Sequence, residues 1–179
     1  MIDLIKSTPE KDLQIIPENL EKFKTFKTKE FIFIDSFQFL TTSLASLVDD
    51  LRFKGVDNFK KLHEQFPGTY LEDGVEKSKA ELLMEKGIFP YDYCSSYDVF
   101  EEPCLPPIEA FYNNLNEESL EPEDYERALK TFQVMECKSL GDYMRLYVLT
   151  DTILLLDVFE AFRDLCLDYY RLDPCHYSR

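Results

Sequence analysis

The sequence predicts a fold of the α/β class in its α+β form, mostly helical, with one or two strands ahead of a series of helices. Residues Lys29–Phe39, KEFIFIDSFQF, are rich in Phe and Ile and indicate a buried strand that ends near Asp35. Periodic apolar residues from Ser139 to about Tyr170 predict one long helix of roughly 48 Å. The 179 residues allow one compact domain or a part of a larger protein.

Shorter elements follow from periodicity. A short strand is expected at Leu13–Pro17. Apolar residues three and four positions apart predict an amphipathic helix over Ser43–Phe53, and a further short helix is expected at Asn58–Phe66. Residues Glu76–Lys86 are interpreted as a helix that Gly87 stops.

Turn formers and helix-start signals organise the rest of the chain. The stretch from Gly68 to Gly74 reads as an exposed loop, and four prolines make Ile88–Ile108 irregular. Pro122 is suited to the first position of a helix that runs to about Met135. Ser139 with Asp142 three residues later forms an acidic variant of the capping box at the start of the long helix.

Charge excludes one class of function. The formal net charge is -15, and Tyr97–Glu126 contains ten Asp or Glu without any Lys or Arg. This sign is wrong for a chain that neutralises phosphates, so weak or no nucleic-acid binding is expected of the chain alone. The acidic stretch should be solvated or face a basic partner.

Cysteine usage and hydropathy bear on the compartment. The five cysteines are odd in number and include no C-x-x-C pair, so neither a disulfide framework nor a zinc site is indicated. An intracellular, reducing compartment is the default expectation. Residues 1–14 contain no apolar stretch and no run of 18 apolar residues occurs, so we expect no secretion signal and no membrane span.

Asp151 occupies an unusual place in the predicted long helix. At 100° per residue, it lies in the middle of an apolar stripe formed by Leu155, Val158, Phe162, Leu165 and Tyr169. Three other aspartates, Asp157, Asp164 and Asp168, fall about 100° to 140° away and are interpreted as a solvated face.

A buried, ionised Asp151 requires a hydrogen bond, an ion partner or a metal. Tyr147, one turn earlier, points the same way, and such a pair can hold a metal-bound water in nucleotidyl hydrolysis. The alternative is a buried aspartate satisfied by a backbone group or a tyrosine hydroxyl. Composition alone predicts about one Y-x-x-x-D match, and Tyr169 with Asp173 is a second one, more simply a helix end and a turn former.

Three ordered segments resemble family B DNA polymerases of the protein-primed, organellar and viral type, especially those of Polinton/Maverick mobile elements. They are FIFIDSFQFLTTSLASLVDDL (Phe31–Leu51), KGIFPYDYCSSYDVFEEPCLPPIEAFYNNL (Lys86–Leu115) and CKSLGDYMRLYVLTDTILLLDVFEAFRDLCLDYYRLDPCHY (Cys137–Tyr177). The resemblance implies the C-terminal part of a ribonuclease H-like 3'-5' exonuclease domain over residues 1–170, and the start of a polymerase domain over 171–179.

The resemblance also implies site residues. Tyr147 and Asp151 match the helix-borne Y-x-x-x-D of the third exonuclease motif, which makes Asp151 a divalent-metal ligand and Tyr147 a water-orienting hydroxyl, both catalytic. In the complete protein the cofactor would be Mg²⁺ or Mn²⁺, and the substrates would be DNA and deoxynucleotides. No tight metal binding is expected of this chain alone.

Two sets of family motifs are not identifiable here. The D-x-E and second-motif Asp of the exonuclease would precede this chain, and the D-x-x-S-L-Y-P and D-T-D of the polymerase would follow it. We therefore expect a fragment that is inactive alone, with apolar surface exposed on Phe31–Ile34 and on the long helix. The alternative is a non-catalytic, acidic helical interaction module derived from a mobile element.

Overall fold

The computed structural model of the chain describes residues 14–17 and 23–176. These residues belong to two compact units, one made of the described residues up to Ser43 together with those from Phe159 onward, and the other of Leu44–Val158. Helices and two small antiparallel sheets make the described chain α+β, as expected. No helix in this part of the chain has both the length and the apolar character needed to cross a membrane.

The first unit contains a three-stranded antiparallel sheet. Its strands β1 (Gln14–Pro17), β2 (Phe23–Lys27) and β3 (Ile32–Ile34) are neighbours in chain order. The expected short strand is confirmed as β1, whereas β2 was not predicted. The strand expected within Lys29–Phe39 is confirmed as β3, and it ends before Asp35 as predicted. It is shorter than expected, with three residues, and the expectation that it is buried is wrong because Ile32 is exposed.

Asp35 ends the third strand by capping a turn. Its Oδ1 accepts a hydrogen bond from the Phe37 backbone N–H at 3.0 Å, which starts a 3-10 turn over Ser36–Gln38. The chain then brings Phe39 against Phe159 and Phe162 of the same unit, at ring-centroid distances of 5.8 and 6.2 Å.

The second unit is mainly helical and confirms most of the predicted helices. In chain order its elements are α1 (Leu44–Lys54), α2 (Lys60–Gln65), β4 (Thr69–Glu72), β5 (Val75–Ser78), α3 (Lys79–Leu82), α4 (Pro122–Val134) and α5 (Leu140–Tyr170), the last of which extends into the first unit. The start of α5 has the expected cap, since Ser139 Oγ accepts from the Asp142 N–H at 3.2 Å.

A β-hairpin replaces the loop predicted between Gly68 and Gly74. Strands β4 and β5 pair antiparallel across the turn residues Asp73 and Gly74, whose φ angles are 51° and 76°. Asp-Gly suits the left-handed conformations of such a two-residue turn. The helix expected over Glu76–Lys86 is therefore wrong in its first part, which forms β5, and only Lys79–Leu82 is helical.

The proline-rich segment is irregular, as predicted. It contains three 3-10 turns, at Tyr91–Tyr93, Tyr97–Glu101 and Ile108–Phe111. Its apolar side chains pack with α4 and α5 around a buried cluster of Leu105, Phe111, Ala128, Leu140 and Tyr143.

The buried face of α5 is not the predicted stripe. Val158 is buried, but Leu165 and Tyr169 at the C-terminal end are exposed. Neighbouring segments pack against another side of the helix, and its buried residues are Leu140, Tyr143, Thr150, Ile153, Leu154, Asp157 and Val158. Periodicity alone does not distinguish the exposed apolar residues at the C-terminal end of α5 from the buried ones, so it predicts a stripe away from the buried face.

The prediction that Asp157 lies on a solvated face with Asp164 and Asp168 is wrong. Asp164 and Asp168 are exposed as expected, but only 3% of Asp157 is accessible. Its Oδ1 accepts from the Lys61 N–H at 2.9 Å and its Oδ2 from the Leu62 N–H at 3.0 Å. These are the second and third residues of α2, whose N-cap residue Phe59 supplies no side-chain acceptor. Asp157 thus caps α2 from a distant helix.

We predict that Asp157→Ala lowers the free energy of unfolding by roughly 2 to 3 kcal/mol, because two backbone N–H groups in the first turn of α2, one of them buried, lose their side-chain acceptor. Urea denaturation followed by circular dichroism measures the change. Asp164→Ala on the exposed side of the same helix is the control and should stay within about 0.5 kcal/mol of the wild type. Equal effects of the two substitutions would contradict the capping role.

Candidate functional site

Tyr147 and Asp151 lie one turn apart on α5, and both contact the segment Gly87–Tyr91. The Tyr147 ring packs against Phe89 at a centroid distance of 5.3 Å and meets Tyr91 edge-on at 5.9 Å. The hydroxyl groups of Tyr147 and Tyr91 are hydrogen-bonded at 2.5 Å. The structure therefore brings the two predicted site residues together and adds Tyr91 to them.

The Asp151 carboxylate is partly buried and has a backbone partner. Its Oδ1 accepts a hydrogen bond from the Gly87 N–H at 3.3 Å. Burial raises the pKa of Asp151 above its ordinary value, although hydrogen bonds from the Tyr147 hydroxyl and the Gly87 N–H act in the opposite direction. A buried aspartate with a purely structural role needs a backbone group or a tyrosine hydroxyl as its partner, and Asp151 has both.

The Tyr147 hydroxyl stays protonated at neutral pH. Burial raises its pKa, and the hydrogen bond to Tyr91 and the nearby Asp151 carboxylate raise it further. A neutral hydroxyl both donates and accepts hydrogen bonds. Tyr147 can therefore orient a water or a polar group beside Asp151, but it is unsuited to remove a proton.

Gly87 permits the close approach of the loop to α5. A Cβ atom added at this residue would lie 2.6 Å from Cδ2 of Tyr147, closer than two carbon atoms pack, and 3.5 Å from Oδ1 of Asp151. A second contact fixes the loop, since the Tyr143 hydroxyl donates to the Ile88 carbonyl at 2.9 Å. Three successive turns of α5 thus hold this loop.

The sequence did not reveal the loop side of the site. From the sequence, Gly87 indicates only the end of a helix, and Tyr91 lies in a segment whose prolines predict irregular structure. Both lie more than 50 residues from their partners in the chain. No local spacing rule connects such positions.

The second Y-x-x-x-D match is structural, as interpreted from the sequence. Tyr169 is exposed. Asp173 forms an ion pair with the Arg163 guanidinium, with Arg163 Nε to Asp173 Oδ1 at 3.1 Å, and it accepts from the Cys175 N–H at 3.0 Å. The guanidinium holds the pKa of Asp173 well below its usual range. Asp173 therefore stabilises the turn after α5.

The described residues do not by themselves make a two-metal centre. Nowhere within residues 14–17 and 23–176 do three His, Cys, Asp or Glu side chains group closely enough to hold a metal ion. Asp151 offers one carboxylate, whereas two cations about 4 Å apart need several. We therefore assign no metal-dependent step to this set of residues.

Searches against protein-family models, curated proteins and solved structures find no match to this chain.

We predict that Gly87→Ala lowers the free energy of unfolding by about 1 to 3 kcal/mol, because the new methyl group overlaps the Tyr147 ring. Thermal or urea denaturation measures the loss. In a Tyr147→Ala background the same change should cost much less, since the overlapping ring is absent. An equal cost in both backgrounds would contradict the close contact.

A second prediction concerns pH. Because the pKa of Asp151 is raised in the folded protein, its ionisation destabilises the fold. This penalty is absent below the unfolded-state pKa of about 3.9 and complete above the raised folded-state pKa. Relative to the wild type, Asp151→Asn should therefore gain stability as pH rises through that window.

Urea denaturation of both proteins at a series of pH values measures this difference. Asp164→Asn is the matched control, because Asp164 is exposed on the same helix. A stability difference for Asp151→Asn that falls with rising pH, or follows that of Asp164→Asn, would contradict the raised pKa.

Proposed function

We propose that this chain is part of a family B DNA polymerase of the protein-primed type, and that it carries the third exonuclease motif and the entry into the polymerase domain. The observation that supports the proposal is the pairing of Tyr147 with Asp151. Both side chains lie on one face of a long helix, and the Gly87 loop holds them at a partly exposed position. A helix-borne Y-x-x-x-D of this kind is what the resemblance implies.

The two residues have separate roles in this proposal. Asp151 contributes one carboxylate ligand for Mg²⁺ or Mn²⁺ in the complete protein, and its other ligands come from the two earlier motifs. The neutral hydroxyl of Tyr147 orients the attacking water, with Tyr91 fixing the direction of that hydroxyl. DNA and deoxynucleotides are the substrates of the complete protein.

The reading frame that contains this chain provides the first test. Long-read sequencing of the transcript should find D-x-E and a second exonuclease motif upstream, and D-x-x-S-L-Y-P and D-T-D downstream. The 179-residue chain alone should neither extend a primer nor digest a 3' end. A frame without these motifs, or robust activity of the chain alone, would contradict the proposal.

In the complete protein, we predict that Asp151→Asn lowers 3'-5' digestion of a mismatched primer by roughly 100-fold or more, because the reacting centre loses a charged ligand. Primer extension should change little. Asp164→Asn is the matched control and should leave both activities intact. Undiminished digestion by Asp151→Asn would exclude Asp151 as a metal ligand.

A second candidate function is an acidic module that binds a basic partner. It is favoured by the acidic stretch Tyr97–Glu126, in which eight of the ten carboxylate side chains are exposed. These eight are Asp98, Glu101, Glu109, Glu117, Glu118, Glu121, Glu123 and Glu126. Such a module would bind a basic protein with an affinity that falls steeply with salt, and it would not need Asp151. A salt-insensitive complex would contradict this candidate.

A further inference from the structure

A groove of about 500 Å³ is lined by residues of two segments, 86–92 and 111–120, and by Tyr147. The groove is mainly apolar. Among the lining residues, Phe111 is buried and Tyr91 is 65% exposed. We call it the aromatic groove, and its apolar lining includes Ile88, Phe89, Tyr91, Phe111, Tyr112 and Leu120.

Hydrogen bonds hold both sides of the aromatic groove in place. The Asp92 carboxylate accepts from the Asn114 N–H at 2.9 Å, which joins the two lining segments. The Asn113 side chain accepts from the Leu115 N–H at 2.9 Å, and a backbone bridge from Asn113 to Glu118 closes the turn. The groove is therefore preformed, and a ligand would not have to order it.

The tip of that turn presents an apolar side chain to solvent. Leu115 is 91% exposed and belongs to the groove lining. Burial of such a side chain by a ligand would stabilise a complex, because its apolar surface would leave water. Its exposure also means that a polar replacement should leave the fold intact.

The charge around the groove is negative. Asp92 and Glu118 line it and are exposed, whereas Lys86 is the one cationic residue in the lining. The segment 111–120 belongs to the acidic stretch that has no Lys or Arg. On the side of the groove formed by 111–120, a cationic ligand is therefore favoured.

We propose that the aromatic groove binds a short basic peptide segment, whose aromatic or aliphatic side chain enters the groove while flanking Lys or Arg residues face Asp92 and Glu118. This proposal goes beyond the polymerase function. It rests on the second candidate function, the acidic module, and specifies where and how that module binds its basic partner. An apolar anchor in a pocket with complementary charge at its rim is a common arrangement in peptide recognition.

The test uses the full chain and a fluorescein-labelled peptide of about ten residues, in which Phe and Leu are flanked by Lys and Arg. Fluorescence anisotropy at low salt should show saturable binding. Leu115→Ser should weaken binding roughly 5- to 10-fold through lost apolar contact, and Glu118→Lys about fivefold through charge reversal. Peptides with Ser in place of Phe and Leu should bind weakly.

Two control variants carry the same chemical changes outside the groove. Leu71→Ser alters an exposed leucine of β4, and Glu81→Lys reverses an exposed acid of α3. Both should bind the peptide like the wild type. Circular dichroism should show that all four variants keep the wild-type fold.

Three results would overturn the groove assignment. In the first, the labelled peptide fails to bind the wild type. In the second, Leu115→Ser and Glu118→Lys bind as tightly as the controls, which would leave the acidic module standing but place its site elsewhere. In the third, a labelled single-stranded oligonucleotide binds and the peptide does not, which would make the groove a base-stacking surface.

Discussion

The unit formed by Leu44–Val158 depends on one carboxylate that is almost completely removed from water. The side chain of Asp157, on α5, accepts hydrogen bonds from two backbone N–H groups at the start of α2. Helix α2 has six residues and lacks a side-chain cap of its own, so its first turn would otherwise bury unsatisfied donors. Helix α5 therefore determines where α2 begins.

The same helix places a second aspartate in a different setting six residues earlier. Asp157 is buried and accepts one backbone N–H at each of its oxygens, whereas Asp151 is partly exposed and accepts one backbone N–H at a longer distance. Burial raises the pKa of Asp151, and the Tyr147 hydroxyl, which is itself hydrogen-bonded to Tyr91, donates to it. The two aspartates of α5 therefore differ in access: Asp157 is enclosed by backbone donors, and Asp151 keeps part of its carboxylate open to solvent.

Periodicity and capping signals predicted the elements whose causes are local. Pro122 and the Ser139–Asp142 pair marked the starts of α4 and α5 correctly, and the prolines correctly indicated an irregular segment. Prediction from the sequence failed for features that depend on residues far apart in the chain. The Asp73–Gly74 turn forms a hairpin because two flanking segments pair, and the burial of Asp157 depends on a helix start some 95 residues away. For the same reason, the spacing of Tyr147 and Asp151 on one helix face was predictable from the sequence, but their contacts with Gly87 and Tyr91 were not.

Native-state hydrogen exchange of the backbone amides of Lys61 and Leu62 tests the central interaction most directly. Amides in the first turn of a helix usually lack a partner and exchange quickly. The first-turn amides of Glu123 and Asp124 in α4 provide the comparison, since that helix has no side-chain cap. We predict that the Lys61 and Leu62 amides exchange as slowly as the core amides of α5. Exchange as fast as that of Glu123 and Asp124 would contradict the account.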